Sequence, residues 1–185
     1  HVHQQMQENQ EEIDYLEGIM AQIDVASPKD LADIRLELQQ QGYLRKQKTN
    51  KKGAKRQKVA KPDQFYASDG TKIWVGKNNL QNDQLTLHTA KKTDIWLHVK
   101  DIPGSHVIID SHQPSEKTLL EAAKLAAYFS KARDSANVPV DWIEVKKIRK
   151  PNGAKPGFVV YEGQKTVAVT PDVELVDKLR NPPTK

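Results

Sequence analysis

The sequence contains no cysteine, which excludes disulfide bonds and thiolate-bound zinc and favours a reducing compartment, the cytoplasm. It also lacks any apolar run near the roughly 20 residues that a membrane helix needs, so we expect no membrane insertion. The first residues are polar and Gln-rich, unlike a signal peptide, and because the chain does not begin with Met we expect a fragment of a longer protein. The Walker pattern GxxxxGK[ST] and the zinc motif HExxH are absent as well.

What the sequence does contain is a strongly uneven distribution of charge. The 185 residues carry a net charge of +5, with 37% hydrophobic and 29% charged side chains, enough for one domain and an appendage. Residues 1–44 hold nine acidic and two basic side chains, whereas residues 45–61 hold nine basic and no acidic ones. The remaining residues hold 18 basic and 15 acidic side chains. The basic character is therefore local.

Residues 1–43 predict two helices, arranged as a helical hairpin or as the stub of a coiled coil. Apolar residues recur at helical spacing from Ile13 to Ile23. Ser27 and Pro28 are favoured at a helix start, and Gly42 is typical of a helix end. The apolar stripes are narrow and the exterior is acidic. The helices either pack on the following domain or form the cut end of a longer coiled coil.

Residues 44–62 predict a flexible basic linker, because their many charges and few apolar groups cannot offset the entropy of ordering. A solvated connector without a partner is one interpretation. The density of like charge favours attraction to phosphate instead. The linker contributes these candidate contacts: Arg45, Lys46, Lys48, Lys51, Lys52, Lys55, Arg56 and Lys58.

Residues 63–185 predict an α+β domain. Asp69-Gly70 between two apolar runs indicates a β-hairpin, and further short β-like runs, among them 158–161, bring the total to about six strands. Residues 115–134 form the clearest helix, capped by Ser115. We expect a mixed, mainly antiparallel sheet packed on this one long helix.

Four stretches in this domain resemble the C-terminal R domain of the NFACT family. They are GKNNLQNDQL at 76–85, DIWLHVKDIPGSHVII at 94–109, EAAKLAAYFSKAR at 121–133 and KKIRKPNGAKPGFVVYEGQKTVAVTP at 146–171. The resemblance covers roughly residues 64–173, and residues 1–42 would correspond to the end of the family's middle coiled coil.

The resemblance implies a role in ribosome-associated quality control. Its implied partners are the large ribosomal subunit, carrying a stalled nascent chain, and tRNA; its implied activity is the promotion of template-free C-terminal tailing. The R domain is regarded as an RNA-binding module, with no chemistry of its own. Some relatives also carry a second role as surface adhesins for fibronectin and fibrinogen, which would place the protein at the cell surface too.

The stretch 94–109 allows three interpretations. His98 and His106 with Asp94 or Asp101 would make a metal site, but no HxH or HExxH motif is nearby. A nucleophile–base pair of Ser105 and His106 is disfavoured, since neighbours on a strand point to opposite faces. The third interpretation is a β-hairpin with one face on the core. Its other face either presents Trp96 to RNA or buries it under the helix.

We therefore expect a non-catalytic RNA-binding module without a cofactor or a metal. The structured candidates are Lys77, Asn78, Asn79, Trp96, His98, Lys100, Gly104, Ser105 and His106, although residues 76–79 also suit a plain turn. A basic loop supplies the remaining candidates: Lys146, Lys147, Arg149, Lys150 and Lys155.

Overall fold

The computed structural model describes residues 1–46 and 56–184, and it begins with a helical hairpin. Helices α1 (Val2–Asp24) and α2 (Pro28–Gln40) are joined by a short turn. The turn is held by Asp30, whose carboxylate accepts hydrogen bonds from the backbone N–H of Ser27 at 3.0 Å and from its hydroxyl at 2.9 Å. The predicted hairpin is confirmed.

The rest of the chain forms a six-stranded sheet in which every pairing is antiparallel. The spatial order is β1-β2-β4-β3-β5-β6. The strands are β1 (Asp63–Tyr66), β2 (Lys72–Val75), β3 (Ile95–Val99), β4 (Val107–Ile109), β5 (Val138–Glu144) and β6 (Lys165–Val169). The helices of this part are α3 (Asn79–Gln84), α4 (Glu116–Tyr128) and α5 (Val173–Leu179), and a π-helical turn (Leu85–Thr89) follows α3. The predicted α+β fold is confirmed.

The central strands β3 and β4 are covered on both faces. Ile95, Leu97 and Val99 of β3 pack into the larger core beneath the Ala-rich face of α4, as the alternation predicted. A second core lies on the opposite face, around Trp96. Its other members are Leu85, Ile108, Ile143, Val145 and Ile148.

Three elements differ from their predictions. Helix α4 ends at Tyr128 rather than near 134, because the chain turns there and Ser130 forms a β-bridge with Gly104. Residues 158–161 form an isolated bridge between Arg149 and Val160 rather than a full strand. Helix α5 was not predicted. Among the described residues, no helix has both the length and the apolar character needed to cross a membrane.

Candidate nucleic-acid interface

The segment 76–84, a short loop that leads into α3, is a buried joint between the helical hairpin and the sheet. Lys77 is only 5% exposed. Its Nζ donates to the backbone oxygen of Val25 at 2.8 Å and lies 3.5 Å from the Asp30 carboxylate and 3.6 Å from that of Asp63. Lys77 therefore binds the hairpin and does not face solvent.

The amides of the same loop extend this joint. The side chain of Asn78 caps α3 by accepting from the N–H of Gln81, and its Nδ2 donates to Asp33 at 3.2 Å. Gln81 Nε2 donates to Asp30 at 2.8 Å and to Asp33 at 3.0 Å. Burial alone would raise the pKa of Asp30, but hydrogen bonds from Ser27 and Gln81 and the charge of Lys77 outweigh it and lower that pKa.

A third carboxylate completes the joint. Glu37 is fully buried and accepts hydrogen bonds from the Tyr15 hydroxyl and from Asn79 Nδ2. Asn79 Oδ1 in turn accepts from Gln22 Nε2 at 2.6 Å. Burial raises the pKa of Glu37 despite these donors. The acidic exterior predicted for the hairpin is thus wrong along α2, where Asp30, Asp33 and Glu37 all face this loop.

The two histidines of the stretch 94–109 lie side by side under the second core. Their ring centroids are 5.6 Å apart, and burial lowers the pKa of both. His106 hydrogen-bonds through Nδ1 to the hydroxyl of Thr86 at 2.8 Å and through Nε2 to the backbone oxygen of Gly157 at 3.0 Å. A neutral ring with the proton on Nε2 satisfies both bonds.

Trp96 is 1% exposed, so the prediction that it is presented on an open face is wrong. It does not lie under α4 either. Its ring stacks on His98 with centroids 5.6 Å apart and contacts Tyr161 at 4.8 Å. The covering layer comes from residues 85–90, shortly before β3, and from residues 145–161, which are distant in sequence. Stacking of RNA bases on Trp96 would require this layer to open.

The other structured candidates are also engaged within the fold. Lys100 Nζ lies 3.3 Å from the buried carboxylate of Asp141. The backbone N–H of Ser105 donates to Phe129, and the backbone N–H of His106 donates to Asn82 Oδ1 at 3.1 Å. No hydrogen bond joins Ser105 to His106 within the described parts of the chain. In the same residues, no group of three or more His, Cys, Asp or Glu side chains is placed to hold a metal ion.

The basic loop folds back on itself over the second core, joined by one β-bridge, and we call it the basic ribbon (residues 145–161). Arg149 and Val160 exchange two backbone hydrogen bonds of 2.9 Å. Ile148, Val159 and Tyr161 pack into the core from its inner side. Alternation then places Arg149 and Val160 on the outer side, and Arg149 is exposed.

The five cations of the basic ribbon divide into two groups. Lys150 Nζ lies 3.3 Å from Asp83 and also donates to the backbone oxygen of Lys155, and Lys155 Nζ sits 4.1 Å from the ring centre of Tyr15. These two lysines therefore tie the ribbon to α3 and α1. The three exposed cations are Lys146, which pairs with Glu144 at 3.2 Å, Lys147 and Arg149.

Two further lysines, missing from the sequence prediction, adjoin the ribbon. The backbone N–H of Lys146 donates to the backbone oxygen of Lys92 at 3.0 Å, and both Lys91 and Lys92 are exposed. The Lys-Lys pair just before Asp94 is the signal that would have identified them.

The linker candidates fall partly outside the described residues. Four of the linker candidates are exposed: Arg45, Lys46, Arg56 and Lys58. Residues 57–60 lie against α2, where Gln57 Nε2 donates to the backbone oxygen of Ala32 and the N–H of Ala60 donates to Asp33. The following candidates lie outside the described residues: Lys48, Lys51, Lys52 and Lys55. A contact of any linker cation with RNA stays a prediction.

Comparison with known families identifies both parts of the chain. Residues 61–164 match the profile described as the NFACT protein RNA binding domain, and residues 1–57 match that of the NFACT N-terminal and middle domains. Strands β1 to β5 and the basic ribbon thus belong to an RNA-binding domain, preceded by helices of the family's adjoining region. The chain belongs to the NFACT family, which confirms the resemblance.

Similar proteins have been named in two ways. The Rqc2 homolog RqcH of Bacillus subtilis (strain 168) is 51% identical over 97% of this chain, and that of Streptococcus suis (strain 05ZYH33) is 50% identical over 97%. The chain spans only 31% and 32% of their lengths. The C-terminal structure of the fibronectin/fibrinogen-binding protein from Streptococcus suis superposes with a TM-score of 0.87 at 49% identity, covering 97% of this chain and 71% of that one.

Proposed function

We propose that this chain is the RNA-binding module of a ribosome-associated quality-control factor, and that it contacts RNA of the large ribosomal subunit or tRNA through the basic ribbon. The observation that carries this proposal is the group of outward cations on a domain of the NFACT RNA-binding type. In the parent protein, the module would act in the cytoplasm, on stalled large subunits, and support C-terminal tailing of the nascent chain.

The outward cations suit the phosphate backbone more than base edges. Lys147 and Arg149 are exposed and have no acidic partner within residues 1–46 and 56–184, while Lys91, Lys92 and Lys146 adjoin them. Each lysine or arginine that neutralises a phosphate releases a condensed counterion, so affinity falls as salt rises. The linker cations would add to the same salt-dependent part of the RNA affinity.

We also propose that the module has no catalytic activity of its own. Both ring nitrogens of His106 are engaged by Thr86 and Gly157, and the carboxylate of Asp141 accepts from Lys100, Tyr161 and Thr166. These groups hold the second core together. A structural role in this core therefore accounts for His106 and Asp141 without a catalytic function.

Salt-dependent RNA binding tests the proposal. Fluorescence anisotropy with labelled tRNA would give the slope of log affinity against log salt for the wild type and for Lys147→Ala and Arg149→Ala. Each substitution should reduce the slope by about 1, and deletion of residues 45–58 should reduce it further. Lys117→Ala, an exposed lysine on α4 across the sheet, is the matched control. An affinity independent of salt, or an equal effect of the control, would refute the proposal.

Binding to fibronectin and fibrinogen, named for the similar Streptococcus suis protein, is the alternative function. Its specific support is the close similarity of the two folds. Surface plasmon resonance with fibronectin, fibrinogen and tRNA at one physiological salt concentration would separate the two functions.

A further inference from the structure

One large aromatic side chain of the sheet domain lies on the surface. The chain has three phenylalanines, of which Phe65 is 0%, Phe129 5% and Phe158 55% exposed. Trp96 is buried, and Trp74 and Trp142 are half-buried. Phe158 belongs to the basic ribbon, so the most exposed aromatic ring of the domain lies within its most basic surface.

The backbone that carries Phe158 is held from both sides of Gly157. The Gly157 N–H donates to Asp83 at 2.9 Å, and its carbonyl oxygen accepts from His106 Nε2 at 3.0 Å. The N–H of Phe158 itself donates to the backbone oxygen of Lys155 at 3.1 Å. The ring is therefore presented by a fixed backbone, and little conformational entropy is lost when a partner binds it.

The side chains around Phe158 define the polarity of this surface. Because Arg149 pairs with Val160, the alternating pattern places Phe158 on the outer side of the ribbon together with Arg149. The diagonal neighbours of a two-stranded pair are within reach of long side chains. The exposed Phe158 ring and the exposed Arg149 thus share one side of the ribbon, and the exposed Lys147 ends a short 3-10 helical turn (Val145–Lys147) just before Arg149.

We propose that Phe158 stacks on an unpaired nucleobase of the bound RNA, while Arg149 and Lys147 contact phosphates near that nucleotide. This inference rests on the proposed function and specifies the form of RNA that the module recognises. Every base offers a flat ring for stacking, so the contact requires no particular sequence. Bases inside a duplex are not accessible to such a ring, whereas those in loops and single strands are.

The cationic surroundings favour RNA over an apolar peptide as the occupant. A peptide groove would present several neighbouring apolar side chains, whereas the only other exposed large apolar residue of the described sheet domain is Val173, on α5. A single exposed ring on a ribbon that carries exposed cations suits a single base with its adjoining phosphates.

The test compares Phe158→Ala with Phe158→Trp on three labelled probes: an oligouridylate of about twelve nucleotides, an abasic strand of that length and an RNA duplex. Phe158→Ala should weaken oligouridylate binding by about 5- to 150-fold, the range for removal of one aromatic–base stack, with the salt slope unchanged. Its binding to the duplex and the abasic strand should stay at the wild-type level. Phe158→Trp should retain oligouridylate binding.

The outcomes separate this inference from the proposed function. If Phe158→Ala binds oligouridylate as the wild type does, or weakens all three probes equally, base stacking by Phe158 is refuted while RNA binding stands. If the wild type binds none of the probes, the proposed function itself fails. Circular dichroism of both variants would verify that the substitution of this exposed side chain leaves the fold intact.

Discussion

Replacing Gly157 with alanine should damage the joint between the basic ribbon and the helical hairpin. The residue has a φ of +82°, and an added Cβ would lie 2.7 Å from Asn79 Oδ1 and 3.0 Å from its Cγ. Asn79 cannot retreat freely, because it donates to Glu37 and accepts from Gln22. The substitution therefore strains the backbone and also displaces a hydrogen-bonded side chain.

The expected loss of unfolding free energy follows from a comparison with Gly153. That residue has a φ of +75°, but no other described atom lies within 4 Å of a Cβ added there. Left-handed backbone costs an ordinary residue about 1–2 kcal/mol, partly offset by the lower entropy of the unfolded chain. Gly153→Ala should thus cost about 1 kcal/mol. Gly157→Ala adds overpacking of about 1–3 kcal/mol, for a total of about 2–4 kcal/mol.

Urea unfolding followed by far-UV circular dichroism would measure the loss of unfolding free energy for Gly153→Ala and for Gly157→Ala. A second-site substitution, Asn79→Ala, removes the atoms nearest to the added methyl group. In that background the penalty of Gly157→Ala should fall towards that of Gly153→Ala, a coupling of about 1–3 kcal/mol. Equal losses at the two glycines, or additive effects with Asn79→Ala, would refute the contact.

Two further predictions concern buried ionisable groups. Lys77→Met leaves the Asp30 carboxylate buried without its cation and should cost about 3–5 kcal/mol in urea unfolding, whereas Lys131→Met breaks an exposed pair with Glu17 and should cost about 0–1 kcal/mol. Similar losses for both would contradict the burial of the first pair. The pKa of His106 lies well below its ordinary 6.5 in the folded protein, so its contribution to stability is present above pH 6.5 and is lost as the pH falls and the unfolded state binds the proton. His106→Asn should flatten the rise in unfolding free energy as the pH increases up to 6.5, and a variant with the wild-type slope would argue against a neutral buried ring.

The elements that follow local rules could be predicted from the sequence. Helical spacing and the Ser27-Pro28 start predicted the hairpin, Asp69-Gly70 predicted the β1–β2 turn, and Ser115 predicted the start of α4. The alternation in β3 also assigned Ile95, Leu97 and Val99 to one core. Each of these signals lies within a few residues of the structure that it determines.

The burial of the second face could not be predicted in this way. Alternation separates the two faces of a strand but does not show whether the second one is covered, and part of the layer over Trp96 comes from residues about 50 to 65 positions further along the chain. Asp30, Asp33 and Glu37 likewise resemble a solvated acidic face until their amide and lysine partners on a distant loop are known. Phe158 was missed although it had a signal, an aromatic residue after Pro-Gly within a basic segment.

The joint at Lys77, Asn78 and Gln81 affects how the protein can be divided. A fragment starting at β1 would retain these donors but lose the carboxylates that satisfy them, leaving several buried polar groups without partners. The covalent connection between α2 and β1 is therefore less important than the non-covalent one. The smallest piece that folds as this domain does should include the helical hairpin, either in the same chain or supplied as a separate peptide.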